Sequence, residues 1–171
     1  MPSTPLAGLP DFLQPIRARA PDDGDAGFLA RLYASTRTDL HSMTADPAFV
    51  ASLIAMQQRF QAAGYRNDFP GATYLLLEYD GAPCGRIVVD AGPLALRLVD
   101  IALLAEVRGQ GLGSHILRAL QAWAARRGVP LTLAVHHSNP HARRLYLVLG
   151  FQSNGRNEVS EQMIWNNQLP D

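Results

Sequence analysis

Apolar residues recur along this chain at two periods, and the alternation between them sketches a fold. Phe28, Leu29, Leu32 and Tyr33 repeat at i, i+1, i+4 and i+5 behind the turn signals Pro21-Asp22-Asp23, which predicts a helix from about Asp23 to Ser35. Asp46-Pro47 supplies a cap and first-turn pair for a second helix, and Phe49, Val50, Leu53, Ile54 and the run Met56 to Phe60 carry its pattern up to Gly64. A third helix, Gly111 to Arg127, shows Ile116, Leu117, Leu120, Trp123 and Ala124 on one face and ends at Gly128. A fourth spans Pro140 to Leu149. Shorter apolar runs read as strands: Ile16 to Ala20, Thr73 to Tyr79, Cys84 to Asp90, Leu96 to Leu104, Leu131 to Val135, Phe151 to Arg156 and Glu158 to Trp165. Asp80-Gly81 is a hairpin turn, so an antiparallel meander is expected around it. Met1 to Gln14, with prolines at 2, 5 and 10, reads as an extended lead-in. The sum is an α/β protein with a mixed sheet flanked by helices, one domain over residues 15–168.

Composition narrows the classes of function. A chain of 171 residues, 47% hydrophobic and 18% charged, suits one domain with an adequate core. Its formal net charge of +0 offers no global field for nucleic acid or an anionic membrane, so neither is expected as a partner. Cys84 is the single cysteine, which excludes an internal disulfide and a cysteine-rich zinc site and makes a reducing cytoplasm the simplest compartment. The first residues lack the basic, apolar, small-residue succession of a signal peptide, and no apolar stretch approaches the roughly 20 residues of a membrane span.

The chemistry concentrates after the run Leu98 to Leu104, where the chain reads Arg108-Gly109-Gln110-Gly111-Leu112-Gly113-Ser114. A strand, a glycine turn and a helix start follow one another. The glycines remove Cβ atoms where a backbone turns and approaches a ligand, and the helix aims free N–H groups and its positive dipole end at the same spot. Arg108 adds a fork suited to a pyrophosphate. No lysine follows the last glycine, which removes a triphosphate loop, and neither glycine count completes a dinucleotide fingerprint.

The spacing present, Arg-x-x-Gly-x-Gly, resembles the pyrophosphate loop of the GNAT superfamily, the acyl-CoA-dependent N-acyltransferases. A second segment, Asn139-Pro140-His141-Ala142-Arg143-Arg144-Leu145-Tyr146 with Gly150-Phe151 behind it, is similar to that family's later signature. The motif-bearing resemblance covers roughly Leu94 to Trp165, and residues 56–72 look like a bacterial branch. It implies a mostly antiparallel sheet in which one parallel strand pair splays apart, so that the pantetheine arm of acetyl-CoA, the co-substrate, lies in the gap. The main chain of Ile101 and Leu103 and the side chain of Asn139 would then read that arm. Arg108, Gly109, Gln110, Gly111, Leu112, Gly113 and Ser114 would hold the pyrophosphate, and Ala142 and Tyr146 would complete the cofactor-binding set. The implied activity is direct transfer of an acetyl group to a primary amine in a ternary complex, with Tyr146 as donor to the leaving thiolate and the Leu103 N–H polarising the thioester. A non-catalytic acyl-CoA-binding or sensing module is the alternative, with less use for Tyr146 and Asn139.

A primary amine with pKa near ~10.4 is almost wholly protonated at neutral pH, so something must take its proton. Asp100, a carboxylate inside an apolar strand, is the candidate base through a water, unless Arg97 pairs it structurally. Glu106 belongs on an exposed turn. His136 and His137 point opposite ways along a strand and His141 sits on the next helix, so no metal is expected. Residues 36–43, 56–69 and 152–160 should shape the acceptor site. They hold Arg37, Asp39, His41, Gln57, Arg59, Tyr65 and Phe69, which suits a small polar amine or a peptide N-terminus. The oligomeric expectation is a monomer or homodimer.

Overall fold

The computed structural model describes residues 6–167. Its seven strands are β1 (Arg17–Arg19), β2 (Thr73–Tyr79), β3 (Ala82–Ala91), β4 (Leu96–Leu103), β5 (Leu131–His136), β6 (Gln152–Arg156) and β7 (Ser160–Trp165), in the spatial order β1-β2-β3-β4-β5-β7-β6. The helices are α1 (Leu9–Leu13), α2 (Ala26–Ser35), α3 (Thr38–His41), α4 (Pro47–Asp68), α5 (Leu112–Arg127) and α6 (Pro140–Val148). Every neighbouring strand pair is antiparallel except β4 and β5.

One face of the sheet packs on α1, α5 and α6. Ile87, Val89, Leu96 and Leu98 meet Leu9, Leu13, Ile116, Leu120 and Trp123 in the main core. On the other face Phe28 and Leu32 of α2 cover Leu76, and α4 leans on α2 and α3 through Val50, Ile54, Tyr33 and Leu40.

The extended lead-in expected over residues 1–14 is corrected for the described part: residues 6–8 turn and Leu9–Leu13 form α1. Pro10 sits in that helix's first turn, where its missing N–H costs nothing, so proline content misled. Leu9 and Leu13 are fully buried, and α5 holds the segment by two side chains: His115 Nε2 lies 3.0 Å from the Leu13 carbonyl, and Trp123 Nε1 donates to Ala7 at 3.2 Å. Residues 1–5 lie outside the described residues.

Two helix boundaries move by three residues or more. Asp23–Asp25 is a 3-10 turn closed by a capping box between Asp22 and Asp25, and α2 proper begins after it. Helix α4 runs through Gly64 to Asp68, because an internal glycine only weakens a helix, and it stops at Phe69, whose place before Pro70 disfavours helical dihedrals.

Strands β4 and β5 pair over Leu96↔Leu131, Arg97↔Thr132 and Leu98↔Leu133, then part. Beyond Leu98, β4 continues to Leu103 held only by β3, and β5 continues to His136 held only by β7. The far end of β5 is braced by a charge cluster. Glu161 on β7, 1% exposed, accepts from Arg143 Nε of α6 at 2.6 Å and from Arg156 Nη2 of β6 at 3.0 Å. The Arg143 guanidinium, then Ser153, hold the Glu161 carboxyl down at about 2.

Candidate active site

Where the parallel pair parts, a cleft of about 820 Å³ opens between the free edge of β4, the glycine turn, α6 and the end of α2. Its main-chain lining is set by a bulge. Val88 faces Asp100 while Val89 faces Leu98, so Val99 is an extra residue on β4. That insertion reverses the alternation. Leu96 N–H points away from β3, to Pro130, whereas Leu104 N–H points back to Cys84 on β3. Counting back from Leu104, the N–H groups of Asp100 and Ala102 serve the β3 ladder and those of Ile101 and Leu103 face the gap. The expected pair therefore turns toward the cleft N–H groups that no described strand pairs. Gly85 opposite Leu103 makes this close packing possible, since a Cβ there would stand 2.4 Å from the Ala102 oxygen.

Gly109 (φ +75°) and Gly111 (φ +80°) take left-handed dihedrals that other residues adopt at a cost, and Gly111 is the N-cap of α5. A Cβ on either would meet nothing within 4 Å, so the space before the α5 N-terminus is open. Arg108 is exposed and donates its Nε to the Leu103 carbonyl at 3.0 Å, which ties the turn to the end of β4. Arg108, Gly109, Gly111, Gly113 and Ser114 all line the cleft, as do Ile101, Leu103, Asn139, Ala142 and Tyr146. The side chains of Gln110 and Leu112 lie outside that lining: the Gln110 amide donates to the Glu106 carbonyl at 3.1 Å, and apolar Leu112 turns into the core, which leaves only their main chain to meet a ligand. Asn139 caps α6 by accepting from Ala142 N–H at 3.1 Å, leaving its amide N–H groups for another partner.

Tyr146 is 7% exposed, its ring tilted against Phe151 with centroids 5.7 Å apart. Its hydroxyl has no hydrogen-bond partner among the described residues. Burial first, and then the negative charge of Asp100, push the phenol up to about 12, so it stays protonated at neutral pH.

Asp100 also lines the cleft, and its partner is Arg86 rather than Arg97: Arg86 Nη2 lies 2.5 Å from Asp100 Oδ2. Arg86 faces Ala102 and Asp100 faces Val88, so the two are diagonal neighbours on one sheet face. The pair is mostly shielded from water, at 13% and 19% exposure. Arg86 escaped notice in the sequence, although it is the one charge inside the run Cys84 to Val89, just as Asp100 is in its own run. Tyr65 of α4 stands near enough that burial and then the Asp100 charge raise its pKa above the ordinary phenol.

Of the expected acceptor residues, Arg37 is spent on Asp39, Gln57 and the Tyr33 hydroxyl. His41 lines a separate apolar hollow between α2 and α4. Tyr33, Thr36 and Thr38 instead form the cleft's rim, with Gln61 above Arg86. His136 is engaged with Ser138 and His137 with the Asn157 carbonyl, while His141 lines the cleft. Among the described residues no three His, Cys, Asp or Glu side chains converge as a metal site, and no helix is long and apolar enough to cross a membrane.

Solved structures share this architecture. PaiA N-acetyltransferase from Thermoplasma acidophilum, in complex with coenzyme A, superposes with a TM-score of 0.64 at 15% identity, covering 88% of this chain and 98% of that one. The ribosomal-protein-S18-alanine N-acetyltransferase from Escherichia coli gives 0.60 at 20% identity over 91% and 96%. Arabidopsis thaliana Naa50, in complex with the bisubstrate analogue CoA-Ac-MVNAL, gives 0.58 at 15% identity over 88% and 98%. No curated protein matches the sequence. Residues 37–151 match the Acetyltransferase (GNAT) family, an interval that takes in the bulged strand, the glycine turn and the α6 signature. With two thirds of its length matched and the fold in agreement, the chain belongs to the GNAT acetyltransferase family.

Proposed function

We propose that this protein transfers an acetyl group from acetyl-CoA to a primary amine by direct attack, both substrates being bound at once. The observation that carries the reading is the convergence, in one cleft, of two main-chain N–H groups on β4 with the protonated phenol of Tyr146 on α6, all without a partner among the described residues. The residues fit the co-substrate. Open space before Gly109 and Gly111 suits the pyrophosphate, with Arg108 and the α5 N-terminus supplying positive charge. Ile101, Leu103 and the Asn139 amide offer the groups that a pantetheine's two amides require. Acetyl-CoA would supply an activated thioester whose thiol leaves easily.

Each residue then has a role. The Leu103 N–H polarises the carbonyl in the manner of an oxyanion hole. Tyr146 donates a hydrogen bond to the leaving sulfur; with its pKa near 12 it is a weaker acid than a thiol of about 8.5, so it stabilises the thiolate without surrendering its proton. Asp100, fixed by Arg86, draws the acceptor's ammonium and passes the departing proton to water. Cys84 is buried in the core, burial raising its pKa, which argues against a covalent acetyl-enzyme and for a ternary complex. The single cysteine keeps the cytoplasm as the proposed compartment, and the acceptor is a small amine or a peptide N-terminus.

A screen of amines and short peptides with a thiol reagent reporting CoA release tests the reading. Turnover with some acceptor, by kinetics that are not ping-pong, supports it. Acetyl-CoA binding without turnover of any amine would instead favour the non-catalytic sensing module.

A further inference from the structure

Arg97 is a half-buried cation with no counter-ion among the described residues. It stands on β4 one rung before the last paired rung of the parallel ladder, at the apex of the splay. Its Nη1 donates to Gln162 Oε1 at 2.9 Å, its guanidinium carbon lies 5.8 Å from the centre of the Phe69 ring, and its Nε is buried with no partner. Among the described residues no carboxylate comes within ion-pair distance. That includes Asp90, which faces it directly across the β3 ladder. A guanidinium stays charged at any accessible pH, and a buried one with an orphaned N–H is stabilised most by a planar carboxylate offering two oxygens.

The placement relative to Asp100 gives the missing anion a context. Arg97 faces Asp90 and Asp100 faces Val88, two residues apart on β3, so both lie on the same sheet face. Their positions are separated by roughly 7 Å along the strand. Asp100, with Arg86 beside it, lines the cleft and Arg97 stands next to that lining, so a molecule bearing an amine and, a few bonds away, an acid would span the two positions.

We propose that Arg97 receives a carboxylate of the acceptor, and hence that the acceptor is a small amino-acid-like amine carrying its own free carboxylate. This rests on the acetyltransferase reading above. A peptide N-terminus without an acid close to its amine would leave Arg97 unpaired.

The test compares the twenty L-amino acids with their carboxamides as acceptors, by CoA release, in the wild type and in Arg97→Gln. Calorimetry of acetyl-CoA runs beside it. The expected result is at least one amino acid preferred over its amide by roughly tenfold or more in kcat/KM. In Arg97→Gln that preference disappears through a raised acceptor KM, with kcat and acetyl-CoA affinity kept. Equal use of acids and amides by the wild type overturns the inference even if the variant fails to fold. So does a preference that survives in Arg97→Gln, and so does bound acetyl-CoA with no turnover of any amino acid. Failure of the wild type to bind acetyl-CoA would instead sink the acetyltransferase reading on which the inference stands.

Discussion

At Tyr146 a single hydroxyl separates a donor from a packing residue. Tyr146→Phe keeps the ring against Phe151, so acetyl-CoA affinity should change by no more than the ~0.5–1.5 kcal/mol of one hydrogen bond, while turnover falls roughly 10- to 100-fold. Because burial holds the phenol near 12, the ratio of wild-type to variant rates should stay constant from about pH 7 to about pH 9. Full turnover in Tyr146→Phe with chemistry rate-limiting makes the phenol structural. Asp100→Asn should bind acetyl-CoA normally and lose roughly 10² in rate, measured as CoA release. A normal rate and pH profile would reduce Asp100 to a structural partner of Arg86. At this scale local spacing was enough to single out Gly111, Gly113, Asn139 and Tyr146, which the structure gathers along one cleft. It was silent on Arg86 and Arg97, whose meaning comes from which residue sits across a strand or on a neighbouring one, a register that local pattern does not define.

Strands and helices position these groups through features of different legibility. The bulge at Val99 decides that Ile101 and Leu103 present their N–H groups to the gap, yet an apolar run reads the same with or without an extra residue. Helix α1 was hidden for another reason: five residues are too few to show a period, and its stability comes from Leu9 and Leu13 packing against α5. The clamp on Glu161 joins α6, β6 and β7, and so fixes the helix that carries Asn139 and Tyr146. Its carboxyl is depressed in the folded state, so the stabilisation is fully present above the ordinary 4.5 and fades as pH falls toward about 2. Glu161→Gln should therefore unfold at a lower temperature than the wild type at neutral pH. In thermal melts the difference should narrow through that acid window. A constant difference down to the lowest pH would mean that the clamp contributes through shape rather than charge.

For the molecule as a whole, the mixed sheet with helices on both faces was foreseeable, because long periodic segments and Asp80-Gly81 act locally and agree with one another. The splayed pair followed only from resemblance, since nothing in the apolar pattern of β4 or β5 says where a parallel ladder ends. The cleft at that splay is proposed to hold acetyl-CoA. Calorimetric titration of acetyl-CoA into the wild type and into Gly113→Val is the decisive measurement. Gly113 has no left-handed dihedral to lose, and a Cβ there meets nothing nearer than 3.8 Å, so the variant should fold while the added branch obstructs the pyrophosphate's approach. The wild type should bind and, at 100 times the dissociation constant, gain about 2.7 kcal/mol of stability, visible as a raised melting temperature. Gly113→Val should show neither heat of binding nor that shift. Undiminished binding by the folded variant, or no binding by the wild type, would contradict an acetyl-CoA site in this cleft.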